Sequence, residues 1–224
     1  MIYDFHTHSF LSDGELSPVE QVRRALVRGY AALAITDHAG MGNLQATLST
    51  VLAERALLAG LWPIDLLAGV EITHVPPAAI ARVAKAARQL GAQVIVVHGE
   101  TPVEPVEPGT NRAAVLCDEV DILGHPGLIT LQEAEKAAER GIFLELTSRR
   151  GHSLCNGHVA RVAKEVGAKL IVDSDAHSPD DLLTEELVRK VVLGAGLKEE
   201  DLEDVLVRHP QELLRRALAR EGVQ

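Results

Sequence analysis

Apolar and polar positions alternate along this chain in short blocks. Runs rich in branched aliphatic residues, too brief for helices, are separated by segments with helical spacing or strong helix formers. The apolar runs predict strands at residues 2–5, 31–36, 66–72, 93–97, 121–123, 142–146 and 169–172. Between the first two, Ser17-Pro18-Val19-Glu20 supplies an N-cap, a proline at the first helical position and a glutamate at the third. That predicts a helix to about Arg28, stopped by Gly29. Further helices are predicted over residues 44–58, 78–90, 111–119 and 156–166, and from the capping box Thr130-Leu131-Gln132-Glu133 to Arg140. Thr101-Pro102-Val103-Glu104 imitates such a box, but Pro105 and Pro108 follow, so an extended loop from Thr101 to Gly109 is predicted instead, read as a spacer, with rimming of a site entrance as the alternative. Beyond Ser178-Pro179-Asp180-Asp181 the pattern turns helical and offers no further strand.

Seven strands alternating with helices imply a parallel sheet with right-handed crossovers, either a barrel or an open doubly wound sheet. The length of 224 residues suits one domain over 1–224, with a barrel at about 1–178 and a helical region at about 179–224. Hydrophobic residues make up 46% of the chain and aromatics only 3%, so the core is built from aliphatic side chains, as buried parallel strands require. The net charge of −10 argues against a strong nucleic-acid or anionic-membrane surface. An anionic substrate stays possible, because bound divalent ions would invert the local potential. Two cysteines, Cys117 and Cys155, make no disulfide framework. No signal peptide is visible, and the longest apolar stretch, 56–70, is interrupted by Pro63 and Asp65. A cytoplasmic, membrane-free protein is expected.

The chemistry lies where the apolar runs stop. His6 and His8 stand two apart after the first strand, so both imidazoles point to one side. Asp13 follows in Ser-Asp-Gly and His38 closes Thr-Asp-His. Glu71 ends Leu-Leu-Ala-Gly-Val, where a carboxylate is costly without a cation or strong donor. His98 ends the fourth run, His125 stands between Gly124 and Pro126, and Asp175 with His177 repeats the two-apart spacing. Taken singly, each has a bland reading: a turn aspartate, a core histidine, a salt bridge. Together, nine ligand-type side chains at six strand ends exceed the needs of one tetrahedral ion. With no cysteine among them, a catalytic site with two or three divalent ions is implied; Zn, Mn and Fe all suit imidazole and carboxylate ligands. A barrel is favoured over an open sheet, because its strand ends converge on one mouth.

The ordered motifs His-x-His, Ser-Asp-Gly, Thr-Asp-His, Glu71, His98, Gly-His-Pro and Ser-Asp-Ala-His resemble those of the PHP family, the polymerase and histidinol phosphatase superfamily of metal-dependent phosphoesterases. The resemblance runs from His6 to His177. It implies a distorted (β/α)7 barrel with the metal site at the C-terminal mouth of the strands. By the same resemblance His6, His8, Glu71 and Asp175 would hold one ion, Glu71 would bridge to a second on His98 and His125, and Asp13, His38 and His177 would hold a third. Asp37 and Asp173 are expected to orient these neighbours. A water acidified by such ions could attack phosphorus in line. The sixth strand carries no ligand, but the segment after it brings Arg149 and Arg150, which are expected to grip phosphate. His152 and His158 are read as pocket-lining or surface residues, and His74, His209 and Cys155 as structural. The expected activity is hydrolysis of a small phosphorylated metabolite, a monoester such as histidinol phosphate. The alternatives are a phosphodiesterase or exonuclease acting on nucleotides, and a non-catalytic metal-binding module.

Overall fold

The computed structural model describes residues 1–220; part of the expected C-terminal helical region, residues 221–224, lies outside the described residues. In the first half of the chain, strands β1 (Ile2–Asp4), β2 (Tyr30–Ile35), β3 (His38–Ala39) and β4 (Asp65–Ile72) alternate with helices α1 (Pro18–Val27), α2 (Leu44–Leu58) and α3 (Pro77–Gln89). The second half adds β5 (Val94–His98), α4 (Thr110–Val115), β6 (Ile122–Gly124), α5 (Leu131–Arg140), β7 (Phe143–Thr147), α6 (Asn156–Val166) and β8 (Leu170–Asp173). Helices α7 (Glu185–Gly194) and α8 (His209–Ala219) follow.

All strand pairings are parallel, in the order β1-β2-β4-β5-β6-β7-β8, with the two-residue β3 attached beside β4. The barrel is nearly closed. Its seam between β1 and β8 is spanned beyond the strand ends, where the Asp175 amide donates to the His6 carbonyl at 2.9 Å and the His8 amide to the Ala176 carbonyl at 2.8 Å. Buried carboxylates tie the rest of the seam: Asp173 accepts from the Phe5 amide at 2.6 Å and Asp4 from the Ser174 amide at 3.0 Å. The expected distorted seven-stranded barrel is therefore the observed fold.

Period-two alternation decides what the barrel holds. Phe5, Ala32, Ala34, Leu67, Val94, Val96, Ile122, Phe143 and Ile171 pack inside, and α8 plugs the base with Leu213 and Ala217. The C-terminal helices thus complete the barrel interior. Continuing each inward series toward the C-terminal strand ends places Glu71 after Leu67 and Gly69, His98 after Val94 and Val96, and Asp175 after Ile171 and Asp173. The second core layer lies between strands and helices and is mostly aliphatic, with Tyr30 buried in it.

Local signals set the helix ends. The Ser17 hydroxyl accepts from the Glu20 amide at 3.3 Å, and Thr130 with Glu133 forms a complete capping box. Two expectations need correction. The helix predicted over 111–119 stops at Val115, because the Cys117 amide turns back to Ala114 and the Glu119 carbonyl is taken by the Arg88 guanidinium. The strand β3 lacks an apolar run, since its pairing of His38 with Glu71 is made by site residues. Among the described residues no helix is long and apolar enough to cross a membrane.

Candidate metal centre

Among the described residues five groups of ligand-type side chains gather at the C-terminal mouth, each with ligand atoms within 4.8 Å of one another. His6, His8 and Asp175 form one; His6, Glu71 and His125 a second; His8, Asp13, His38 and His177 a third. The remaining two are His74 with His98 and Glu104, and His125 with His152 and Asp175. All nine residues singled out from the sequence therefore fall in these clusters.

The geometry comes from the strands. His6 Nε2 lies 3.2 Å from Glu71 Oε1 and His8 Nε2 3.1 Å from Asp175 Oδ1, with His6, His8, Glu71 and Asp175 all buried. His125 Nε2 is 3.4 Å from Glu71 Oε1, while Asp13 Oδ1 stands 3.4 Å from His38 Nε2 and 3.3 Å from His177 Nε2. Gly14 lets the Asp13 turn form, since a Cβ there would sit 2.3 Å from the His8 carbonyl oxygen. Among the described residues three besides glycine adopt positive φ, namely His74 at 52°, His125 at 26° and Asp175 at 52°. Such backbone costs about 1–3 kcal/mol per residue and persists where surrounding structure enforces it.

Do these residues fit metal ions? The ring nitrogens His6 Nε2, His98 Nε2 and both nitrogens of His8 and His125 are buried without hydrogen-bond partners. Buried polar atoms are normally satisfied, so imidazole lone pairs aimed into a cluster of carboxylates call for cations. Neighbouring groups fix which nitrogen is available: His6 Nδ1 faces Glu145 at 2.6 Å, and His177 Nδ1 faces the Asp175 carbonyl at 2.9 Å. Both histidines then turn Nε2 toward the acidic residues.

Electrostatics without metal follow the same design. Burial pushes the Glu71 carboxyl up, but the charges of His98 and His6 outweigh it and hold Glu71 well below the usual range. Burial also opposes the charge on His98, yet Glu71 and Glu104 carry it up to about 10. For His8 burial wins and the imidazole is lowered. Asp175 is lowered despite its burial by His6 and His8. The metal-free cluster therefore keeps Glu71 and Asp175 ionised and ready to bind cations.

Several functional positions escaped the sequence reading. The sixth predicted strand, β7, carries no metal ligand, as read from the sequence, but it does carry Glu145, fully buried, with Oε1 on His6 Nδ1 and Oε2 accepting from the His125 amide, each at 2.6 Å. Its signal was the one used for Glu71, a carboxylate inside an apolar run, here Phe143-Leu144-Glu145-Leu146. The loop read as a spacer places Glu104 at 3.1 Å from His98 Nε2, 3.4 Å from His74 Nε2 and 3.3 Å from His152 Nε2. His74 and His152 thus belong to the mouth. Thr73 Oγ1 donates to Glu71 Oε2 at 2.8 Å and meets His38 Nδ1 at 2.7 Å.

The remaining sites fall as follows. Asp37 accepts from the Ser9 amide and the Ser9 and Ser12 hydroxyls, fixing the loop that carries Asp13. Arg149 reaches Asp181 Oδ2 at 3.3 Å beside the His177 loop, and Arg150 is exposed on the same segment. His158 and His209 are held by the carbonyls of Ile129 and Leu170, each at 2.8 Å.

Comparison with known proteins places the chain in a family. A protein of Methanocaldococcus jannaschii without an assigned function is 49% identical over 217 residues, covering 96% of this chain and all of that one. A protein of Thermoanaerobacter sp. named as a probable phosphatase is 28% identical, covering 89% of each chain. Among solved structures, histidinol phosphate phosphatase from Lactococcus lactis, complexed with zinc, L-histidinol and phosphate, superposes with a TM-score of 0.61 at 15% identity, over 88% of this chain and 94% of that one. A chain of an archaeal ribonuclease P with mature tRNA gives a TM-score of 0.69 at 15% identity, over 99% and 92%. At such identities the two structures speak to the fold alone. The model of the PHP domain family matches residues 4–148, the segment carrying seven of the nine strand-end ligand candidates, and the chain belongs to that family.

Proposed function

We propose that this protein is a metal-dependent phosphoesterase that hydrolyses a phosphate monoester of a small metabolite. The observation that carries this reading is the set of buried, unpartnered imidazole nitrogens facing ionised carboxylates at the barrel mouth. His6, His8, Glu71 and Asp175 would hold one divalent ion, and Asp13, His38 and His177 another; His98 and His125 complete a three-ion set of Zn, Mn or Fe. Such ions, when bound, supply Lewis acidity that activates water and offsets charge on phosphoryl oxygens.

The chain's own residues provide orientation and entry. Glu145 holds His6 through Nδ1, leaving Nε2 for the centre, and Thr73 ties Glu71 to His38. A cavity of about 400 Å³, lined by Asp13, His38, Gly40, Thr73, His74 and Glu104, opens beside the cluster. Its size suits a small leaving group. Arg149, positioned by Asp181, and Arg150 are the candidates to grip phosphate oxygens. We take residues 1–224 as one working domain, because α8 fills the barrel base.

The test is release of inorganic phosphate. Purified protein loaded with Mn or Zn should hydrolyse members of a monoester panel, and substituting His8 and Glu71 together with alanine should abolish both metal binding and turnover. Loaded protein inert on every monoester refutes the reading. Products from diesters separate the phosphodiesterase alternative, since a diesterase leaves the phosphate on one product.

A further inference from the structure

We propose that Asp181 is a positioning residue that couples the phosphate grip to the metal centre. It holds Arg149 on one side and the backbone of the His177 loop on the other, so anion binding at Arg149 and ion binding by Asp13, His38 and His177 depend on one carboxylate. This rests on the metal-dependent reading above and adds how two of its parts are joined.

The contacts of Asp181 converge on a single atom. Oδ2 accepts from the Ser178 amide at 2.8 Å, the Ser178 hydroxyl at 2.9 Å, the His177 amide at 3.1 Å and Arg149 Nη1 at 3.3 Å. The two serine bonds close the short turn Pro179–Asp181, as a capping box does in any chain. The other two reach outside the turn. His177 carries a ligand imidazole, and Arg149 comes from the segment after β7, 32 residues earlier. The line of bonds then continues into the site. The His177 carbonyl accepts from the Glu15 amide at 2.7 Å, two residues beyond Asp13, whose Oδ1 lies 3.3 Å from His177 Nε2 and 3.4 Å from His38 Nε2. Both backbone groups of His177 are thereby fixed, the N–H by Asp181 and the carbonyl by the loop of Asp13.

Arg149 is set from its backbone outward. The Ser148 amide donates to the Asp173 carbonyl at 3.1 Å and the Arg149 amide to Thr147 Oγ1 at 3.0 Å, so the chain is placed before the side chain begins. The Arg149 side chain is 31% exposed. With one Nη on Asp181 its flexible stem is restrained, and the other guanidinium N–H groups can still donate to an anion. Restraint of this kind lowers the entropy lost when the anion binds. On the far side Arg28 of α1 donates to the carbonyls of Pro179 and Leu182, which holds the Asp181 turn from behind.

Cobalt and inorganic phosphate are the probes. Metal-stripped wild type, Asp181→Asn, Asp181→Ala, Arg149→Ala and the double variant Arg149→Ala/Asp181→Asn are loaded with Co(II) and freed of excess metal by gel filtration. Bound metal is counted by mass spectrometry, and phosphate affinity is measured by titration calorimetry. Asparagine keeps an acceptor oxygen for the His177 and Ser178 amides but loses the charge toward Arg149; alanine loses both. Asp181→Asn should hold the full metal content and bind phosphate about 2–5-fold more weakly, the span of a part-exposed ion pair. Arg149→Ala should weaken phosphate further, and the double variant should bind it no worse than Arg149→Ala, because Asp181 acts through the arginine. Asp181→Ala should also retain about one equivalent of cobalt fewer than wild type. Unchanged phosphate affinity in Asp181→Asn, or losses that multiply in the double variant, would overturn the link to Arg149. Full cobalt content in Asp181→Ala would overturn the link to His177. Wild type that shows both links but hydrolyses no monoester would refute the phosphatase reading and leave the coupling standing, whereas wild type that takes up no cobalt would overturn both.

Discussion

Replacing Glu145 with glutamine should weaken metal binding by about 10–100-fold although the residue is not expected to touch an ion. In the native site both carboxylate oxygens accept: Oε1 from His6 Nδ1 and Oε2 from the His125 amide, each at 2.6 Å, with no solvent access. Glutamine keeps the shape but offers one acceptor, so its amide N–H₂ must face a donor. If the oxygen stays on the His125 amide, His6 is driven to the tautomer that carries its proton on Nε2, the nitrogen turned toward Glu71 and Asp175. If it stays on His6, a buried backbone N–H is left unpaired at a cost of about 1–3 kcal/mol. Either way the ligand histidine loses its orienting charge, and the affinity loss corresponds to about 1.4–2.7 kcal/mol. Chelator competition at neutral pH reads the metal term, and urea unfolding of the stripped protein, followed by the single Trp62, reads the structural term. A Glu145→Gln protein with wild-type metal affinity and an unchanged urea midpoint would refute this account of how His6 is positioned.

Three further outcomes are expected. His98 is raised from 6.5 to about 10 in the metal-free protein, so its contribution to stability is full below pH 6.5 and lost as pH rises through 10; melting temperatures of stripped protein should fall across that window, and bound metal, replacing the proton, should flatten the slope. A stripped protein with a flat profile from pH 6 to 10 would contradict the assignment. Asp4 is raised to about 7 and Asp173 well above its usual value, by burial and, for Asp173, by the charge of Asp4; Asp173→Asn should therefore raise the melting temperature at pH 8, with the gain vanishing near pH 3, where both states are protonated. An equal gain at both pH values would point away from charge. Gly14→Ala forces a Cβ to within 2.3 Å of the His8 carbonyl oxygen, so the Asp13 turn must move and metal content should drop; a fully loaded Gly14→Ala protein would disprove the need for that close approach.

The strands and the nine strand-end ligand candidates were legible because one rule covers them. A branched aliphatic run that stops at a histidine or carboxylate is read the same way wherever it occurs, and parallel topology then brings the endings together. Glu145 obeys a neighbouring rule and was passed over because it sits inside its run, followed by Leu146 and Thr147, rather than at its end. Its position follows from register: on the inward series Phe143, Glu145, Thr147 it lies one step deeper than the ligands and can reach only the backs of their rings. Glu104 and His74 were hidden for the opposite reason. No periodicity constrains a loop, and three prolines around a glutamate look alike whether the loop points to solvent or folds over the mouth. What distinguishes the two cases is tertiary: the Glu100–Asn111 clasp closes the loop base, and His152 arrives on the segment after β7, two strands further round the barrel. The inner layer of this site is therefore written in strand register. Its outer layer is written in loop closure, which alone carries Glu104 to His74, His98 and His152.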